Sequence, residues 1–161
     1  MFTTIIWATD GSSSADQALS YAQSIAAEYD ARLVVAHCME TVAAHNGGSG
    51  PLRTNAEELR AKVEKQASAL AEEGFAVSEN IFTGSAGARP AHAIAELARE
   101  IDANLIVAGT RGHTPLAGLM LGSVTQRLLH IAPCPLLAVP ATPRAADPLR
   151  AVGPEAEAAQ G

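Results

Sequence analysis

The residues best suited to chemistry are glycines at fixed distances. Gly109 and Gly112 are separated by two residues, and after nine more come Gly122, Ser123, Val124 and Thr125. A short apolar run, Leu105 to Ala108, precedes the first glycine and reads as a buried strand; Val124 to His130 reads as a helix. Glycines at a strand end and a helix start let the backbone approach a ligand and point its N–H groups at it. The first-turn N–H groups of Ser123, Val124 and Thr125, two hydroxyls and the guanidinium of Arg111 suit an anion such as phosphate, with His113 beside them. The pattern is neither GxxxxGK followed by Ser or Thr nor GxGxxG, and as bare spacing it serves a phosphate loop or a structural turn equally well.

Other chemistries lack their parts. GxSxG does not occur, no Ser-His-Asp arrangement stands out, and no His/Cys/Asp set has metal-ligand spacing. Cys38 and Cys134 have no CxxC spacing and sit in apolar runs, which suits buried small hydrophobes better than a disulfide or metal pair. His37, in a strand, reads as a packed structural histidine; His45 and His92 read as exposed residues without partners. Asp10 either caps the first helix or meets a ligand, and the two roles are compatible.

The elements that must position these residues follow from periodicity. Strand 1 is expected over Phe2 to Thr9, and Ser12 or Ser13 then caps helix 1, with Ala15, Leu19, Ala22, Ile25, Ala26 and Tyr29 on its inner face. Ala31 to Cys38 is strand 2. Helix 2 carries the stripe Leu52, Ala56, Leu59, Val63, Ala67 and Leu70 and stops at Gly74. Phe75 to Thr83 is strand 3, and helix 3 follows with Pro90 in its first turn and Ala91, Ile94, Leu97, Ala98 and Ile101 inward. Asn104 to Ala108 is strand 4 and Pro135 to Val139 strand 5. The segment 46–51, Gly- and Ser-rich, reads as a mobile loop, and 141–161 as a disordered tail after a domain over 1–140. Alternating strands and helices require a parallel α/β sheet with right-handed crossovers, in which ligands bind beyond the carboxyl ends of the strands. The ends at Asp10, Cys38 and Gly109 should converge there, and Asp10 is the one acid expected at them.

With 161 residues, an apolar fraction of 48% and only 4% aromatics, the chain supports one domain with an alanine-rich core. A net charge of −6 argues against a nucleic-acid partner or a membrane surface, and no run approaches the roughly 18 apolar residues of a membrane span. A cytoplasmic location is expected. The only lysines are Lys62 and Lys65, both in helix 2, so a phosphate site cannot use a loop lysine.

The glycine spacing, together with Thr9 to Ser12, Val35 to His37, Ala103 to Gly109 and Cys134 to Pro140, resembles the universal stress protein family over about residues 2 to 140. That resemblance implies a five-stranded sheet of order 3-2-1-4-5, sandwiched by helices, of the adenine nucleotide alpha hydrolase-like, Rossmann-like kind. It also implies ATP binding, with Mg²⁺ held through the phosphates. Under it, Gly109, Arg111, Gly112, Gly122, Ser123, Val124 and Thr125 hold the phosphates and ribose. Asp10 with Ala8 and Thr9 meets the nucleoside, Cys38 offers backbone contacts to the adenine edge, and Val107 counts among the nucleotide-binding positions. A homodimer through the last strand, Pro135 to Val139, is implied as well. Trp7 stands where the family usually carries a small aliphatic, either crowding the pocket or resting beside it. The function implied is a nucleotide-dependent sensor or regulator in stress response. The alternatives are a weak ATPase, another adenine-nucleotide enzyme or a cyclic AMP binder. A receiver domain lacks its acidic cluster and its lysine, and a flavin carrier lacks loop aromatics.

Overall fold

The computed structural model describes residues 1–40, 52–84, 89–110 and 121–140. Within them the order is β1 (Thr4–Thr9), α1 (Ser13–Tyr29), β2 (Arg32–Glu40), α2 (Leu52–Glu72), β3 (Val77–Gly84), α3 (Pro90–Glu100), β4 (Leu105–Gly109), α4 (Ser123–Ile131) and β5 (Leu136–Val139). The five strands form one sheet of order β3-β2-β1-β4-β5, and every pairing is parallel, as the alternating pattern requires. The expected tail and the segment 46–51 lie outside the described residues.

Each central strand is apolar at every position because both of its faces are covered. Ile5, Trp7, Leu33, Val35, Leu105 and Val107 pack with α1 and α2, while Ile6, Ala8, Val34, Ala36, Ile106 and Ala108 pack with α3 and α4. Ala18, Ala22 and Ala26 bring α1 close to the sheet, and Trp7 fills the space beneath the helix. The Trp7 indole Nε1–H donates to the Ala15 carbonyl at 2.9 Å, so the ring belongs to the core under α1. Neither expected role for it, crowding a pocket or lying beside one, describes that position.

Among the boundaries that differ from expectation, three have a clear physical reason. Strand β1 starts at Thr4, and Phe2 instead meets Tyr29 edge-to-face at 5.2 Å, leaving Tyr29 45% exposed at the end of α1 rather than inward. Asn104 precedes β4. Its Oδ1 accepts from the Thr3 and Thr4 backbone N–H groups at 2.8 and 2.9 Å, tying the starts of β1 and β4 together. Strand β2 runs on to Glu40, pairing with β3, so a second acid besides Asp10 stands at a strand end.

Candidate functional site

Strand order reverses between β1 and β4: β1 leads outward to β2 on one side, and β4 leads to β5 on the other. A crevice at the carboxyl end of such a sheet is its usual ligand site. Two connections border it here, one from β1 into α1 and one from β4 into α4.

The first connection is held by its own side chains. Gly11 has φ +79°, a left-handed conformation that glycine takes without strain. Its N–H donates to Thr9 Oγ1 at 3.1 Å, and the Ser12 N–H donates to Asp10 Oδ1 at 3.0 Å. Ser12, not Asp10, is the N-cap of α1: its hydroxyl accepts from the Ala15 N–H at 3.3 Å. Asp10 thus builds the turn that precedes the helix, by a side-chain-to-backbone bond two residues on. Beside it, buried His37 directs Nδ1 to the Thr9 carbonyl at 3.0 Å, the packed structural role expected of it.

The second connection is built differently. The Gly122 N–H donates to the Thr110 carbonyl at 2.7 Å, and the Thr110 N–H to the Val139 carbonyl at 2.8 Å. Thr110 and Gly122, near the two ends of the glycine motif, are therefore joined directly. Helix α4 begins from Gly122, which has no side chain to cap it, so among the described residues no side chain caps the first-turn N–H groups. Thr125 is buried, and its hydroxyl donates to the Gly109 carbonyl at 2.7 Å. Ser123 is exposed and Val124 half-buried. A Cβ on Gly109 would lie 2.5 Å from Ser14 Oγ and 2.8 Å from the Ser14 backbone. The glycine therefore admits the first turn of α1 against the end of β4, a packing role that its place in a loop motif does not reveal.

The remaining expected positions divide. Ala8 is buried on the α3/α4 side, one residue before Thr9 at the end of β1. Val107 is fully buried on the α1 side, opposite Trp7 and Leu137 in register, two residues short of the end of its strand. Pairing between β1 and β2 stops at Thr9 and His37, whereas β2 continues through Cys38 to Glu40 along β3 alone. From Cys38 onward the β1-facing edge of β2 pairs with no strand among the described residues. Arg111, Gly112 and His113 lie outside the described residues, as does His45. His92 is not exposed as expected: in the first turn of α3 its Nδ1 is buried with no hydrogen-bond partner.

Two positions escaped the sequence reading. Ser14 is fixed against Gly109, and Lys62 of α2 reaches the Gly11 carbonyl at 2.8 Å. The spacing of Leu59, Lys62 and Gln66 along one side of α2 is the only trace of the second in the chain. Among the described residues no cluster of three or more His, Cys, Asp or Glu could hold a metal ion, and no helix is long and apolar enough to cross a membrane.

A parallel sheet of this order, covered by helices on both faces, defines an α/β domain of the Rossmann-like kind. The universal stress protein family model matches residues 1–140, and the chain belongs to that family. It is 36% identical over 139 residues to a universal stress protein of Thermus aquaticus, covering 86% of this chain and 99% of the relative. A solved universal stress family protein from Burkholderia pseudomallei superposes with a TM-score of 0.68 at 30% identity, covering 87% of this chain and 97% of its own. A universal stress protein solved in complex with cAMP superposes with a TM-score of 0.63 at 27% identity, covering 86% and 97%.

Proposed function

We propose that this chain binds an adenine nucleotide, ATP above all, and acts as a nucleotide-dependent regulator rather than an enzyme. The observation that carries the reading is the start of α4. Gly122 leaves the helix uncapped, and its bond to Thr110 holds that positive end beside the ends of β1 and β4. Phosphates sit there, with the N–H groups of Ser123, Val124 and Thr125 as donors and Arg111 as counter-charge. Asp10 meets the ribose, and the open edge of β2 at Cys38 takes the adenine. The donors suit phosphate, and Mg²⁺ accompanies the phosphates, which supply its ligands. The Ser12 N–H holds Asp10 Oδ1 at 3.0 Å, which fixes the carboxylate in place for a ribose hydroxyl.

A second reading, a cyclic nucleotide as the ligand, is favoured by the 27% identical neighbour solved with cAMP. Mass spectrometry of the nucleotide released from the purified protein separates the two. ATP or ADP supports the first reading, cAMP supports the second, and protein that neither carries nor takes up an adenine nucleotide refutes both.

We further infer a homodimer along β5. That strand is a sheet edge with Leu136, Leu137 and Ala138 half-buried, and a second copy covers it. The bonds from Ile106 N–H to Pro135 O and from Thr110 N–H to Val139 O turn alternate residues inward, so Ala138 presents its N–H to the open edge. Ala138→Pro removes that donor without touching the β4 ladder. The variant should run as a monomer in light scattering, and a mass unchanged from a dimeric wild type would count against this interface.

A further inference from the structure

Helix α2 reaches over the β1–α1 turn with three residues. The Lys62 ammonium donates to the Gly11 carbonyl at 2.8 Å and to Asp16 Oδ2 at 2.6 Å. One turn further, Gln66 Nε2 donates to Asp16 Oδ1 at 2.9 Å. One turn earlier, Leu59 lies so close over Gly11 that a Cβ there would meet its Cδ2 at 2.7 Å. Positions 59, 62 and 66 share one helix face, so a single stripe of α2 is seated on this turn and on the first turn of α1.

Stability does not account for the polar part of that stripe. Lys62 and Asp16 are 40% and 34% exposed, and an ion pair so open to water adds little. Gln66 Oε1 is buried without a partner, which subtracts from whatever the network gains. What the contacts do fix is the orientation of the two peptides on either side of Gly11. Gly11, the residue with the most conformational freedom, has its carbonyl held by Lys62 and its N–H held by Thr9. Asp10 and Ser12 flank it and are bonded across it, so a rotation at Gly11 would carry the Asp10 carboxylate with it.

We propose that Lys62 is a positioning residue for the nucleoside: without touching the ligand, it locks the Gly11–Ser12 peptide, whose N–H holds Asp10, so that Asp10 stays presented at the end of β1. The inference rests on the nucleotide reading above. At metal sites, the partners that orient a ligating side chain are worth tenfold or more in affinity, and Lys62 stands in the same relation to Asp10.

The test is calorimetric titration of the full chain with ATP, ADP and AMP, alongside melting temperatures, for wild type, Lys62→Met, Lys62→Arg and Asp16→Asn. Lys62→Met should weaken all three nucleotides by about tenfold and by a common factor, because the phosphate end is untouched. Lys62→Arg should recover most of that loss, and Asp16→Asn should shift affinity in the same direction as Lys62→Met. Melting temperatures should stay near wild type; if Lys62→Met does not fold, Asp16→Asn carries the test. Wild-type affinity in Lys62→Met, or in Asp16→Asn where that variant carries the test, overturns the inference. So does a loss far larger for ATP than for AMP, since the ammonium would then be meeting phosphate itself. A wild-type chain that binds none of the three overturns the nucleotide reading, and this inference with it.

Discussion

The two connections at the carboxyl end of the sheet solve the same problem in opposite ways. From β1 into α1, every special feature is answered from within the protein: Thr9 takes the Gly11 N–H, Asp10 takes the Ser12 N–H, and Ser12 caps the helix. From β4 into α4, backbone bonds join Thr110 to Gly122 and to Val139, but among the described residues no side chain caps the helix start. A satisfied turn is rigid and can hold one carboxylate in place. An uncapped helix start keeps donors in reserve, and its partial positive charge favours an anion. Under the proposed function, the first connection positions the ligand and the second takes its phosphates.

The sharpest way to break this division is at Gly109, where the two connections touch. Gly109→Ala puts a Cβ within 2.8 Å of the Ser14 backbone, and neither neighbour can yield without moving α1 or β4. The variant should lose about 3 kcal/mol in chemical denaturation, at the upper end for overpacking. A loss below about 0.5 kcal/mol, the scale of an inert surface change, would mean that the glycine serves the ligand alone.

A smaller effect is expected at Thr125, whose hydroxyl joins α4 to the Gly109 carbonyl. Thr125→Val keeps the shape and removes the donor, and should cost about 1 to 2 kcal/mol, read from the denaturation midpoint. Nucleotide affinity should fall as well if the bond sets the distance between the strand end and the helix start. An unchanged affinity would restrict Thr125 to a structural role.

Much of this architecture was legible because it rests on local periodicity. Unbroken apolar runs at 33–36 and 105–108 mark strands covered on both faces, and the stripe at Val63, Ala67 and Leu70 marks a helix with one buried side. Strand order came with the family resemblance, and the sheet agrees with it. The readings that failed concern contacts between distant residues. Nothing near Trp7 in the sequence says that it fills the space under an alanine-rich α1, nor that Asn104 would be spent on Thr3 and Thr4. Gly109 looks like a loop glycine because its neighbour Ser14 lies 95 positions earlier in the chain. His92 reads as exposed because it lies off the inward stripe of Ala91, Ile94, Leu97 and Ala98, yet its Nδ1 is buried. Lys62 lies on a helix face that reads as solvated until α2 is laid across the β1–α1 turn.

The division of labour between the two connections comes to a single test at Gly122. That residue has φ −59°, a conformation open to any side chain, and it occupies the N-cap of α4. Gly122→Asp therefore places a good cap there, whose carboxylate takes the first-turn N–H groups and repels phosphate. Calorimetric titration of ATP into wild type and Gly122→Asp, with thermal melts in parallel, measures both consequences. The expected result is binding by wild type, at least a ~100-fold loss in the variant, and a melting temperature equal to or above wild type, since two charge-assisted contacts are exchanged for repulsion. ATP affinity unchanged in a folded Gly122→Asp protein would contradict the assignment of phosphate to this helix start.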